Sequence, residues 1–189
     1  MKNRIIVALS GGLASGYCAW LALNRYPKEQ VVLYFNDTRW EHPDLYRFLR
    51  DLSRVLNHPI YEDSDGRSVD ALFFDQRALA NNRMPFCSRI LKAERLKRFF
   101  NDGDTIIFGI GPDEAHRAKR IVESYYEYGK RTEKWAKLSF PLIVNNIGKD
   151  EILRWYASVD IEIPKLYRLG FAHNNFDKGK KPSGRYRRF

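Results

Sequence analysis

The chain has 189 residues, of which 44% are hydrophobic and 30% charged, and its formal net charge is +10. This length suits one domain by the prior of roughly 100–200 residues per domain, and no run of ~18 apolar residues marks a transmembrane helix, so no membrane partner is expected. Cys18 and Cys87 stand far apart, which gives neither a disulfide framework nor a zinc spacing and is consistent with a reducing, cytoplasmic setting.

The chain opens with "RIIVALSGGLASGYCAWLAL". Lys2 and Arg4 give it a positive start, but Gly11 and Gly12 interrupt the apolar stretch too early for the core of a signal peptide. A strand, a phosphate-holding turn and a helix fit better. Ile5, Ile6 and Val7 are β-branched and continuous, as in a buried parallel strand. The two glycines allow backbone angles closed to other residues and let an anion approach the main chain. Ala14 to Tyr26 then reads as a helix, with Cys18, Leu21, Ala22 and Arg25 on one face and Pro27 as its stop.

Val31 to Phe35 reads as a second buried strand, with Asn36-Asp37-Thr38 as turn chemistry at its carboxyl end. "HPDLYRFLRDLSRVLN" is a helix with Pro43 near its start and an apolar stripe of Leu45, Phe48, Leu49, Leu52 and Leu56. "PIYEDS" reads as a short strand, "SVDALFFDQRAL" as a short helix, "NNRMPFCSR" as a loop and "ILKAERLKRFF" as a helix. Thr105 to Phe108 is a further strand ending in the glycine-rich turn "GIGPDEAHR", and "KDEILRWYAS" is a late helix. Strand–helix alternation predicts an α/β fold, a parallel sheet with helices on both faces. Ligands of such sheets bind beyond the carboxyl ends of the strands, so "SGGLAS", "NDTRWEH" and "GIGPDEAHR" should converge on one crevice. Residues 1–176 read as one domain and 177–189 as a basic, flexible tail.

That tail holds Lys178, Lys180, Lys181, Arg185, Arg187 and Arg188 with no acid from 178 onward, more than half of the excess charge. It suits phosphate contacts with a nucleic acid or a merely solubilising role, and the two weigh equally. Tyr186 and Phe189 could stack on bases.

The first loop is not a Walker loop, because no Gly-Lys-Ser/Thr follows, and its Ser-Gly-Gly-x-x-Ser order is not a GxGxxG turn either. An ordinary turn with Ser10 or Ser15 as a helix cap is the alternative. Arg is suited to bidentate phosphate contact and Lys to point-charge contact; a solvated helix face is the plainer reading of Arg89 and Lys92. For Asp37 and Glu114 it is turn or capping chemistry, and His42 and His116 read as ordinary polar residues.

Five stretches together, "SGGLAS", "NDTRWEHPDLYRFL", "RMPFCSRILKAERLKRF", "GIGPDEAHR" and the closing "FPLIVNNIGKDEILRWYASVDIEIPKLYRLGFAHNN", resemble the phosphoadenosine-phosphosulfate (PAPS) reductase-like branch of the PP-loop superfamily. The resemblance implies the adenine nucleotide α-hydrolase-like, Rossmann-like sandwich and an adenine nucleotide, ATP or PAPS, with Mg²⁺. It implies that Ser10, Gly11, Gly12 and Ser15 hold phosphate, with Ala14 where many such loops carry Asp. Asn36, Asp37 and Thr38 fall where the family contacts the nucleoside. Arg83, Cys87, Arg89 and Lys92 match the segment that brings positive charge to the substrate, and Gly109, Glu114 and Arg117 fall in a second turn beside it. Gly111 replaces a frequent arginine, and Phe176 stands where the closing pattern often continues with cysteine. With no cysteine after Cys87, a C-terminal thiol nucleophile is absent and an iron–sulfur cluster lacks ligands. Cys87 reads two to one as a loop or core residue, and it could act as a nucleophile only with a lowered pKa.

Three functions follow in order. The first is attack of an acceptor on the α-phosphate of ATP, with AMP transfer and pyrophosphate release, helped by Asp37, Glu114 and Arg117. The second is sulfonucleotide reduction or sulfur transfer. The third is nucleotide or nucleic-acid binding without catalysis. The oligomeric state stays open, a homo-oligomer included.

Overall fold

The computed structural model describes residues 3–78 and 88–169. Five parallel strands form one sheet in the order β3-β2-β1-β4-β5: β1 Ile5–Leu9, β2 Val31–Asp37, β3 Ile60–Ser64, β4 Thr105–Phe108 and β5 Lys137–Ser139. This is the parallel sheet with helices on both faces that the strand–helix alternation predicts. β1 lies at the centre because its continuous apolar run can be buried on both faces. Ile5, Val7, Leu9, Leu33, Phe35 and Ile107 point into one core, packed by helices α1 Leu13–Arg25, α2 Pro43–Leu56 and α7 Lys149–Ser158. Ile6, Tyr34 and Ile106 point into the other, packed by α4 Glu94–Phe99 and α5 Ala115–Thr132. The alternation is the two-residue period of a strand. Helices α3 Val69–Gln76, α6 Pro141–Val144 and α8 Lys165–Arg168 complete the described chain.

Three elements differ from the sequence reading. "ILKAERLKRFF" begins as a π-helical turn, Arg89–Ala93, before continuing as α4. The 18-residue α5, where the sequence reading placed no helix, buries only Tyr125 and Gly129, with Ile121 and Tyr128 half-covered beside them, and exposes most of the rest of its surface, Val122 and Tyr126 included. β5 has three residues and no β-branched one. The domain boundary at 176 and the tail lie outside the described residues.

Leu9 pairs with Phe35 and Ala8 with Phe108. The turns after β1, β2 and β4 therefore leave the sheet level with one another, at the edge where ligands of such sheets bind. Arg4 anchors the opposite edge: its guanidinium and backbone N–H bond to the buried Asp104 carboxylate, the guanidinium at 2.7 Å.

Candidate functional site

The loop Ser10–Ser15 turns directly from β1 into α1. Gly11 takes φ +74° and is backed by Leu45, whose side chain a Cβ at Gly11 would strike at 2.5 Å. That combination requires glycine. Gly12 is the N-cap of α1 and makes no side-chain cap bond. The first-turn N–H groups of a helix have no partner within the helix and carry its positive dipole end. Ser15 is buried, and its hydroxyl donates to the Gly12 carbonyl at 2.9 Å while accepting from Ser10 N–H at 3.1 Å. Ser15 therefore braces the turn rather than capping the helix. Ser10 is exposed; its hydroxyl accepts from Gly12 N–H at 3.3 Å and lies 3.2 Å from Ser15 Oγ.

Two neighbours shape this cradle. Gly109, after β4, lies against the start of α1: a Cβ there would come within 2.5 Å of Ser15 N and 2.8 Å of the Ala14 carbonyl carbon. From α8 the Tyr167 hydroxyl reaches the Leu13 N–H at 3.4 Å. A Cβ at Gly12 would sit 3.2 Å from that hydroxyl and 3.4 Å from Ser10 Oγ, so glycine keeps the cradle open.

The second turn follows β2. Asn36 and Thr38 are buried. Asp37 Oδ1 accepts from Arg39 N–H at 2.8 Å and from Tyr46 hydroxyl at 2.7 Å, so both bonds fall on one carboxylate oxygen. Burial, together with this bond, raises the Tyr46 pKa and keeps the phenol a donor. Thr38 donates to Glu41 Oε1 at 3.0 Å, and Lys92 Nζ reaches the same oxygen at 2.8 Å. Glu41 is thus a member that the sequence reading did not single out, although its Thr-x-x-Glu spacing is a local pairing signal. His42 caps α2 through Nδ1, which accepts from Asp44 N–H at 3.1 Å.

Asn36 donates to Asp63 Oδ2 at 3.4 Å. Asp63 also accepts from Tyr34 and takes both ends of the Arg95 guanidinium, at 2.8 and 2.5 Å. Burial opposes ionisation of Asp63, but these donors outweigh it and its pKa falls. Among the cations expected here, Lys92 meets Glu41, while Arg89 is largely exposed and lies 3.6 Å from Glu94. In the third turn Glu114 and Arg117 form an ion pair with each other. Cys87, Arg83 and Met84 lie outside the described residues. Cys18 is buried on α1, and burial pushes its thiol up to about 12, which leaves it protonated and unreactive.

The model of the phosphoadenosine phosphosulfate reductase domain matches residues 4–173. The chain belongs to that family. No curated protein matches it in sequence. Among solved structures it is similar to phosphoadenylyl-sulfate (PAPS) reductase from Candida auris in its phosphate complex, at 13% identity and TM-score 0.59. That match covers 93% of this chain and 83% of the other. It is also similar to the U34-tRNA thiolase NcsA from Methanococcus maripaludis with its [4Fe-4S] cluster, at 19% identity and TM-score 0.53. That match covers 87% of this chain and 58% of the thiolase. Both support the shared fold.

For a PAPS reductase family member, the cradle on α1 suits an anionic group such as a nucleotide phosphate. Among the described residues no group of three or more His, Cys, Asp or Glu is placed to hold a metal ion. Two cysteines are fewer than a cubane cluster's thiolate ligands.

Proposed function

We propose that this chain binds ATP on the 10–15 loop and transfers its AMP group to an acceptor oxygen. The acceptor attacks the α-phosphorus, a new P–O bond forms, the bond to the bridging oxygen breaks and pyrophosphate leaves. The N-terminus of α1, reached through the glycine pair Gly11 and Gly12, carries the reading: its positive dipole end faces the loop, and the long bonds of Gly12 N–H to Ser10 and of Leu13 N–H to Tyr167 can give way to phosphate oxygens of the departing pyrophosphate. Bound Mg²⁺ would neutralise phosphate charge. Asn36 and Thr38 would meet the nucleoside. The Arg117 guanidinium, now paired with Glu114, would turn to a phosphate oxygen. The acceptor in this reading is a nucleic acid, drawn by the basic residues from Lys178 to Arg188.

The test is calorimetry with ATP and with PAPS in Mg²⁺, beside a pyrophosphate-release assay, on wild type and Gly12→Asp. Gly12 has φ −91° and ψ 160°, an extended geometry that aspartate adopts readily as a helix cap. The variant should stay folded, checked by thermal melting, with the Tyr167 hydroxyl giving way slightly, and bind ATP weaker by on the order of 100-fold, since its carboxylate occupies the anion site. Equal ATP affinity in the variant would overturn the loop assignment. Binding of PAPS alone, with no pyrophosphate from ATP, would favour the family's sulfonucleotide chemistry. In that case Cys87 is the remaining thiol to test, and Cys87→Ser should abolish turnover.

A further inference from the structure

We propose that the outer face of α5, together with the Trp135 corner before β5, is a binding surface for single-stranded nucleic acid. It deepens the acceptor part of the reading above and does not require the ATP step.

The helix starts at the Glu114 turn of the candidate site and runs for about 27 Å at 1.5 Å per residue. Residues 115–137 contain seven basic and three acidic residues. Among the described residues, Lys119, Arg120 and Arg131 have no carboxylate within 4 Å, and Lys119 and Arg120 are exposed. Lys97, from the adjoining α4, has its pKa lowered by burial and then by the nearby Arg131 charge, so cations crowd here. Glu123 and Glu127 interrupt the face, and Glu127 pairs with Lys130 at 3.4 Å.

Exposed aromatic rings lie among these cations. Tyr126 is 56% and Trp135 45% exposed, with ring centroids 6.0 Å apart. Lys130 lies 5.5 Å from the centre of the Tyr126 ring, and Arg131 6.0 Å from that of Tyr128. Trp135 is held rigidly: its N–H donates to Asp102 at 2.7 Å, its carbonyl accepts from Gly103 N–H at 2.8 Å, and its ring packs on Gly129 so closely that a Cβ there would come within 2.5 Å. Fixed, half-exposed rings between cations make a stacking platform beside a phosphate track, which is how unpaired strands are bound. A duplex hides its base faces and would gain only the charge contacts. An acidic protein would meet the cations but leave two planar rings unused.

The test is fluorescence anisotropy of the full chain, without nucleotide, against labelled mixed-sequence single-stranded DNA and RNA 20-mers and a 20-base-pair duplex, across a salt series. The triple variant Lys119→Gln/Arg120→Gln/Arg131→Gln should bind single strands about tenfold or more weakly and lower the log–log salt slope by about 2. Tyr126→Ala should weaken single-strand binding about fivefold or more, Tyr126→Phe should restore it, and neither should change duplex binding. Thermal melts monitored by circular dichroism check that each variant is folded. A triple variant with unchanged affinity and slope overturns the proposal and leaves the binding to the tail. So does Tyr126→Ala with no effect on single strands, or competition by polyglutamate as strong as by the oligonucleotide. A chain that binds strands through this face but releases no pyrophosphate retains the surface and loses the ATP reading.

Discussion

At Gly109 the absence of a side chain has a direct physical cause. The space that a methyl group needs is filled by the backbone of Ala14 and Ser15, which cannot swing aside as a flexible side chain could. Gly109→Ala should cost about 1–3 kcal/mol in urea unfolding and weaken nucleotide binding, because relief requires moving the loop itself. Gly148→Ala, which meets nothing within 4 Å among the described residues, is the control and should cost less than about 1 kcal/mol. Tyr125 presents the reverse case. Its ring is buried against Phe100 and Phe108, yet its hydroxyl has no hydrogen-bond partner among the described residues. Tyr125→Phe removes an unsatisfied buried group and should raise stability by about 0.5–1 kcal/mol, read as a higher urea midpoint at unchanged slope.

At the scale of elements, Asp44 joins α2 to the site. It stands in the first turn of α2, where its carboxylate accepts from Arg47 at 2.7 Å and from the backbone N–H of Lys165 at 2.6 Å. Lys165 begins α8, which carries Tyr167 to the loop. Arg47 adds a bond to the Glu162 carbonyl at 3.1 Å, so two side chains of α2 hold the approach to α8. Asp44→Asn should destabilise the fold by about 1–3 kcal/mol and speed amide exchange at residues 165–168 beyond the global change. None of this was visible in the sequence, since Asp44 and Lys165 stand 121 residues apart. The strands β1, β2 and β4 were legible because a strand buried on both faces needs an unbroken apolar run. The loop was legible because serine and glycine mark it locally. Helix α5 was not, because only a narrow stripe of it is covered. Nor was the π turn at Arg89–Ala93, whose Lys92 meets Glu41 across 51 residues of chain. The sequence reading singled out Asp37 and Lys92, but their partners, Tyr46 for Asp37 and Glu41 for Lys92, are set by packing, as is the Asp63–Arg95 pair that it did not single out.

Across the whole molecule, buried or half-buried carboxylates set the response to acid. The Arg47 bond, against burial, holds Asp44 at about 2. Burial opposes ionisation of Asp63 and Asp104, but Arg95 and Arg4 outweigh it and both pKa values are lowered. A folded-state pKa below the unfolded value of ~3.9 gives stability that is present above that value and lost as pH falls through the lowered one. Urea midpoints should therefore change little from about pH 7 to pH 5 and drop below about pH 4, and Asp44→Asn should flatten part of that drop. The sheet order also has a consequence for a chain still being made. The loop at residues 10–15 leaves the ribosome early, yet its walls come late: Gly109 follows nearly a hundred residues behind, and Tyr167 is 154 residues beyond Leu13. The strands β1, β2 and β3 can pair as soon as Ser64 has emerged, but the anion cradle cannot close until α8 is synthesised. A nascent chain therefore gains its first strands early and the walls of this loop only near the end, so the shape of the loop is fixed by the last described elements rather than by the strand it follows.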